Sequence, residues 1–237
     1  MNLFYTNEIR KNKAVLSGEE ARHCVRVLRH KAGDEIHFID GEGGKYTGQI
    51  TDLKKARVEV SILERFQDWG EHTARIRLAV SPLRIRDRFE FLVEKAVELG
   101  VNEFIPLVTV RTVKPTIKPN RIHSIMISAL KQCKRSRMPL LHEPTAISDL
   151  LEAPVSAGEL RLIASCETED REAGCADVIR SADILTLFIG PEGDFSPEEL
   201  ESAMAAGCLP VSFGPGRLRT ETAAIYGLSM IKLLKEL

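Results

Sequence analysis

The chain has 237 residues, is 43% hydrophobic and 28% charged, and sets 33 Lys+Arg against 34 Asp+Glu for a formal net charge of −1. That is globular material for one large domain or two small ones; no stretch approaches the ~18 consecutive apolar residues of a membrane span, and the first residues lack the apolar run of a signal peptide. Cys24, Cys133, Cys166, Cys175 and Cys208 are odd in number and form no C-x-x-C pair, which argues against a metal site or disulfide framework and for a cytoplasmic protein.

Residues 1–70 read as short strands broken by one helix. Ser17-Gly-Glu-Glu20 has the capping-box pattern of a helix start, with Val25, Val27 and Leu28 supplying its apolar side. Residues 34–40 are extended, Gly41-Glu-Gly-Gly44 is a turn, and 45–53 and 56–63 alternate with β-branched residues. Short strands with glycine-rich turns point to a small β-barrel-like domain. The polar stretch 64–73, holding Trp69, reads as a linker. From residue 74 strands alternate with helices. Residues 76–81 form a strand that Pro82 ends, and Asp87-Arg-Phe-Glu90 caps a helix with Phe89, Leu92, Val93, Ala96 and Val97 on one face and Gly100 as its stop. Residues 103–108 return as a strand. A proline-bearing loop, 114–120, precedes Ile122, Ile125, Met126, Ala129, Leu130 and Cys133, which repeat at helical spacing. Residues 160–165 and 184–189 are apolar runs typical of buried parallel strands. Ser196-Pro-Glu-Glu199 joins an N-cap, an N1 proline and an N3 glutamate, opening a helix that Gly207 closes. Residues 210–213 are the last strand and a helix runs on from Thr220. The rhythm predicts an α/β domain with a parallel sheet covered by helices.

Charge is unevenly spread. Residues 1–70 hold 12 Lys+Arg and 11 Asp+Glu, residues 71–140 hold 14 and 6, and residues 141–237 hold 7 and 17. The +8 segment fits a basic face for an anionic partner as readily as a chance cluster of solvated side chains. Two loops leave predicted strand ends, Ile189-Gly-Pro-Glu-Gly-Asp-Phe195 and the segment from Phe213 to Ala224. Ligands of open α/β sheets bind outside the carboxyl ends of strands, glycine lets backbone approach them closely, and proline stiffens the loop. Neither loop is a phosphate cradle of the G-x-x-x-x-G-K-[ST] or G-x-G-x-x-G kind. Each alone reads equally as a strand terminator or helix cap; together, in order, they point to a ligand site.

The pairing of Gly190-Pro-Glu-Gly193 and Phe195-Ser-Pro-Glu-Glu199 with Leu218-Arg-Thr-Glu-Thr-Ala223 closely resembles the ribosomal RNA small-subunit methyltransferase E family, S-adenosylmethionine-dependent uridine-N3 methyltransferases of the SPOUT class. Further similarities are His23-Cys-Val-Arg-Val-Leu-Arg29, Asp40-Gly-Glu-Gly43, Glu94-Lys-Ala-Val-Glu-Leu-Gly-Val101, Arg111-Thr-Val-Lys114 and Gln132-Cys-Lys-Arg135. The resemblance spans nearly the whole chain. It implies a PUA-like β-barrel over residues 1–70 that helps bind RNA, a SPOUT α/β domain with a deep trefoil knot over 74–237, and a homodimer. Asp194 and Arg217 depart from the family pattern, where a glycine and an apolar residue are usual.

By the same resemblance, S-adenosyl-L-methionine would lie among Ser165, Ile189, Gly190, Pro191, Glu192, Gly193, Phe213, Gly214, Leu218, Arg219, Thr222 and Ala223. The substrate would be 16S ribosomal RNA, free or in the assembled small subunit. Arg219 is the candidate for stabilising charge on the carbonyl oxygens beside uridine N3, since a guanidinium forks onto oxygens. Glu221 is a candidate base and equally a partner that orients Arg219. Arg22, His23, Arg29, Arg84, Arg86, Lys114, Lys134, Arg135 and Arg137 are the expected RNA contacts, positioning phosphates without reading sequence. Two other readings stay open: an RNA-binding ribosome-assembly factor with a vestigial cofactor site, and a SPOUT methyltransferase of another RNA.

Overall fold

Ala14 and Leu16, Ile36 and Phe38, and Val58, Val60 and Ile62 occupy every second position of their segments, so pleating turns each set to one side. In the computed structural model, which describes residues 2–54, 56–71, 74–165 and 175–236, these residues meet with Phe4, Ala21, Cys24 and Ile50 in one buried cluster. The chain divides into two compact units, 1–71 with 127–138, and 72–126 with 139–237.

In the first unit, strands β1 (Leu3–Tyr5), β2 (Ile9–Arg10), β3 (Lys13–Ser17), β4 (Glu35–Ile39), β5 (Gly44–Lys54) and β6 (Arg57–Gln67) form a six-stranded sheet. Its order is β1-β4-β5-β6-β3-β2, antiparallel except where β1 runs parallel to β4. The predicted linker therefore begins too early: residues 64–67 pair with 44–47, extending β6 along the start of β5. Helix α1 (Gly18–Arg22) passes into a π-helical turn, His23–Val27. The capping box expected at Ser17 does not form, and Ser17 makes no side-chain cap. Glu20 is engaged elsewhere, accepting from Tyr5 N–H at 3.1 Å and pairing with Lys131. The turn at residues 41–44 is built by Asp40, whose Oδ1 accepts from the Glu42 and Gly44 N–H groups (2.7 and 2.9 Å). Glu71 pins residues 135–137, taking Arg135 Nη2 at 2.8 Å, Ser136 N–H at 2.9 Å and Arg137 N–H at 2.8 Å.

The second unit alternates strands and helices: β7 (Arg75–Val80), α2 (Arg86–Glu98), β8 (Glu103–Val108), the first half of α3 (Pro119–Cys133), whose residues from 127 on belong to the first unit, β9 (Leu140–Leu141), β10 (Thr145–Ala146), α4 (Ile147–Glu152), β11 (Glu159–Ala164), α5 (Cys175–Ser181), β12 (Ile184–Ile189), α6 (Pro197–Ala205), β13 (Leu209–Val211) and α7 (Thr220–Glu236). All sheet pairings are parallel, in the order β10-β8-β7-β12-β11-β13, with β9 also beside β8. The apolar side of α2 is buried as its spacing predicts, and Gly100 follows with φ +97°. Its first residue is Arg86 rather than one capped by Asp87, because the Glu90 carboxylate binds Arg121 (2.6 Å) and Arg86 (2.7 Å) instead. Those two guanidiniums hold Glu90 down to about 2.

A layer of charge lies at the amino ends of the central strands. Arg77 reaches Glu103 (3.4 Å) and Glu159 (3.2 Å), Arg161 reaches Glu159 (3.2 Å), and His142 Nε2 meets Glu103 at 2.8 Å. Burial pushes both carboxyls up, but hydrogen bonds and the neighbouring arginines outweigh it and hold Glu103 and Glu159 below their ordinary values.

The Cys24 and Cys208 thiols are buried, and that burial pushes them up to about 11, away from nucleophilic chemistry. Cys166 and the Cys175 side chain lie outside the described residues. Among the described residues no cluster of His, Cys, Asp and Glu could hold a metal, and no helix is long and apolar enough to cross a membrane.

Candidate functional site

At the carboxyl ends of β11, β12 and β13, opposite the charge layer, the chain leaves a cavity of about 280 Å³. It is lined by Ala164, Ser165, the 189–192 segment, Asp194, Ser212–Gly214, Gly216–Glu221, Ala223 and Arg88 of α2. Both loops singled out in the sequence thus meet at one place.

The first loop is held by a chain of specific contacts. At Gly190 a Cβ would come 3.2 Å from Phe195 N and 3.3 Å from the Phe195 ring, so only glycine passes easily beside that fully buried ring. Pro191 C=O accepts from Asp194 N–H (2.9 Å), and Asp194 takes the left-handed φ of +62°. Its Oδ1 accepts from Phe195 N–H at 2.8 Å, and its Oδ2 accepts from the Ser165 hydroxyl at 3.3 Å. Glu192 accepts from Arg84 N–H at 3.2 Å. The capping box read at Ser196 forms in full: Ser196 Oγ accepts from Glu199 N–H (3.2 Å), and Glu199 Oε2 accepts from Ser196 N–H (2.8 Å).

The second loop closes into α7, where Arg219 C=O accepts from Ala223 N–H at 2.8 Å. Helix α7 lies hard against β12 and Phe213 at Gly227, where a Cβ would stand 2.8 Å from both Leu187 Cδ2 and Phe213 Cζ. Phe213, seated on that helix and 5.1 Å from the Tyr226 ring, forms one wall of the cavity.

Of the residues expected around the cofactor, Ser165, Ile189, Gly190, Pro191, Glu192, Phe213, Gly214, Leu218, Arg219 and Ala223 line the cavity. Gly193 and Thr222 do not: Gly193 turns its backbone to Arg111, and Thr222 is exposed on α7. Arg219 and Glu221 both line it, but the ion pair of Glu221 is with Arg88, at 3.7 Å, rather than with Arg219. Arg88, read in the sequence with Arg84 and Arg86 as a basic residue for RNA, instead lines the cavity, a place that a basic residue near the start of an amphipathic helix does not announce. Asp194, noted only as a departure, is also part of the wall. The lining suits S-adenosylmethionine: Ile189, Phe213 and Leu218 offer apolar surface for a nucleobase, the glycines expose backbone donors and acceptors, and carboxylates and guanidiniums offer partners for hydroxyls and an amino-acid tail.

In the first unit, Arg22, His23, Arg26 and Lys131 line a second concavity with Glu19, Glu20 and Val27; the sequence reading had not singled out Arg26. Arg29 and Lys134 are exposed. Arg135 is not a surface contact: it is 3% exposed and bound to Glu71, since a guanidinium taken out of water requires a carboxylate partner. Arg137 pairs with Asp68 while remaining partly exposed. In the second unit Arg84, Arg86 and Lys114 are exposed, with Arg86 tied to Glu90.

Residues 70–232 match the family model of an RNA methyltransferase domain, and residues 16–63 that of an RNA methyltransferase PUA domain. A ribosomal RNA small subunit methyltransferase E of Rickettsia conorii is 29% identical over 240 residues, covering 98% of this chain and 96% of that protein. A probable rRNA-methyltransferase from Porphyromonas gingivalis superposes with a TM-score of 0.88 at 34% identity, covering 100% of this chain and 99% of the other. A ribosomal RNA small subunit methyltransferase E from Neisseria gonorrhoeae, solved bound to S-adenosyl methionine, gives 0.86 at 30% identity, with coverage of 99% and 98%.

Proposed function

The chain belongs to the ribosomal RNA small-subunit methyltransferase E family, and on that footing we propose that it transfers a methyl group from S-adenosylmethionine to N3 of one uridine in 16S ribosomal RNA. The observation that carries this reading is the convergence of the 190–195 and 212–219 loops on a single cavity at the carboxyl ends of the strands.

S-adenosylmethionine, when bound, supplies a methyl on a sulfonium whose C–S bond breaks as the N3–C bond forms, leaving a neutral thioether. The chain's own task is positioning, which can supply a large part of the barrier reduction. Backbone groups of residues 189–192 and 212–218 hold the donor, and Phe213 and Leu218 exclude water from its side. Uridine N3 must shed its proton. Arg219, exposed at the cavity rim immediately before α7, places a guanidinium for the oxygen beside N3 as negative charge gathers there. Glu221, two residues on and paired with Arg88 at 3.7 Å, would receive the proton. The base must be unstacked to reach them.

The basic concavity of Arg22, His23, Arg26 and Lys131, with exposed Arg29, Lys134, Arg84, Arg86 and Lys114, supports RNA held through its phosphates. The protein is proposed to work as a homodimer in the cytoplasm, where ribosomal substrate is found. Arg219→Ala is expected to keep the fold but lose at least ~100-fold in turnover; full activity removes this mechanism. Calorimetric titration with S-adenosylmethionine, together with mass spectrometry of 16S RNA from a deletion strain, tests the function. Millimolar binding favours a binding-only assembly factor, and undiminished 3-methyluridine in the deletion strain rejects the assignment of substrate.

A further inference from the structure

We infer that Arg111, which stands outside the cavity, is the positioning residue that keeps the 190–195 loop in its ligand-binding shape. The inference rests on reading that loop as part of the S-adenosylmethionine site. One nitrogen of the Arg111 guanidinium, Nη1, donates to two backbone carbonyls, Gly193 C=O at 2.7 Å and Phe195 C=O at 3.0 Å. Those carbonyls bracket Asp194 and Phe195, and Asp194 is a non-glycine residue at φ +62°, a conformation that L-residues seldom hold unaided. The aliphatic stem of Arg111 lies under Gly193, 3.4–4.0 Å from where a Cβ would stand. Arg111 is itself anchored by its neighbours. Val110 N–H is taken by Glu199 Oε1 at 2.8 Å, the same carboxylate that caps α6, and Thr112 Oγ1 meets Ser81 Oγ at 2.8 Å beyond the end of β7. The turn after β8 thus grips the loop after β12 from behind, with no atom of Arg111 in the cavity wall.

A charged donor shared by two carbonyls fixes the 193–194 and 195–196 peptide planes, which bracket Asp194 and Phe195, and with them the course of the loop beside the cavity. Lysine can replace the charge and part of the bonding, but not the planar reach of the guanidinium.

The test compares wild type, Arg111→Ala, Arg111→Gln and Arg111→Lys by S-adenosylmethionine titration, methyl-transfer kinetics, thermal melting, and amide exchange at residues 193–196. Expected for Arg111→Ala are roughly 10- to 100-fold weaker S-adenosylmethionine binding, faster exchange confined to the loop, an almost unchanged melting temperature, and partial recovery in Arg111→Lys. Should Arg111→Ala fail to fold, Arg111→Gln and Arg111→Lys carry the comparison. Unchanged loop exchange, or S-adenosylmethionine affinity within about twofold of wild type, overturns the inference, as does a change in RNA KM alone, which would make Arg111 an RNA contact. If wild type itself binds no S-adenosylmethionine, the reading of the site fails first, and the two failures are told apart.

Discussion

Gly227→Ala sets two known effects against each other. In an open helix the substitution would stabilise by ~1 kcal/mol through helix propensity. Here the new methyl would stand 2.8 Å from Leu187 Cδ2 and from Phe213 Cζ, whereas carbon atoms rest at about 3.5–4.0 Å. Either α7 or both side chains must therefore yield by roughly 0.7–1.2 Å, and overpacking of this kind costs ~1–3 kcal/mol. Leu187 is fully buried in β12 whereas Phe213 borders the cavity, so the strain is expected to fall on the Phe213 ring and to disturb the cavity wall. The net expectation is a melting temperature lowered by about 0–6 °C together with S-adenosylmethionine affinity reduced ~10-fold, read by thermal denaturation and calorimetry on the same preparation. A variant that melts higher than wild type and binds S-adenosylmethionine unchanged would show that propensity wins and that Phe213 is not set by α7.

The Glu71–Arg135 pair gives a second prediction: Arg135→Ala leaves a buried carboxylate without its main partner and should destabilise by ~3–5 kcal/mol, while the slope of RNA affinity against salt stays that of wild type; a normal melting temperature with a shallower slope would make Arg135 an RNA contact after all. Glu90 supplies the pH dependence. Its carboxyl is held at about 2 by Arg121 and Arg86, below the ordinary 4.5, so its contribution is present above about 4.5 and is lost as pH falls toward 2. Urea midpoints of wild type and Glu90→Gln should converge across that window; a constant gap refutes the assignment.

The parts of the fold legible beforehand were those whose own residues decide their state. β8 and β12 were read to the residue because they are apolar runs bounded by turn residues, and α6 because its cap, its proline and its glutamate all lie within four positions. β9 and β10, two residues each, are strands only because β8 lies beside them, and no local pattern announces that. The caps expected at Ser17 and Asp87 failed for a related reason: Glu20 and Glu90 found partners more than thirty residues away, and a charged partner outbids a helix terminus. Charge counting is blind to position likewise. Within the +8 segment Arg135 is buried against Glu71, and Arg77 is paired from outside the segment by Glu159. At the site, the glycine-proline loops were visible because close approach demands those residue types, whereas Arg88 and Arg111 matter only through what the fold carries up to them.

The strand order also governs when the site can exist during synthesis. β7 pairs with β12, joining Ile76 to Leu185, and the grip of Arg111 on Gly193 spans 82 residues of chain. Such distant pairings close large loops before any contact rewards them, which makes folding slow. Since the chain emerges amino end first, β7, β8 and Arg111 must wait on the ribosome for the last quarter of the sequence, and the cavity is completed only when α7 is released. An enzyme assigned to ribosomal RNA would then gain its S-adenosylmethionine site only once α7 has left the ribosome.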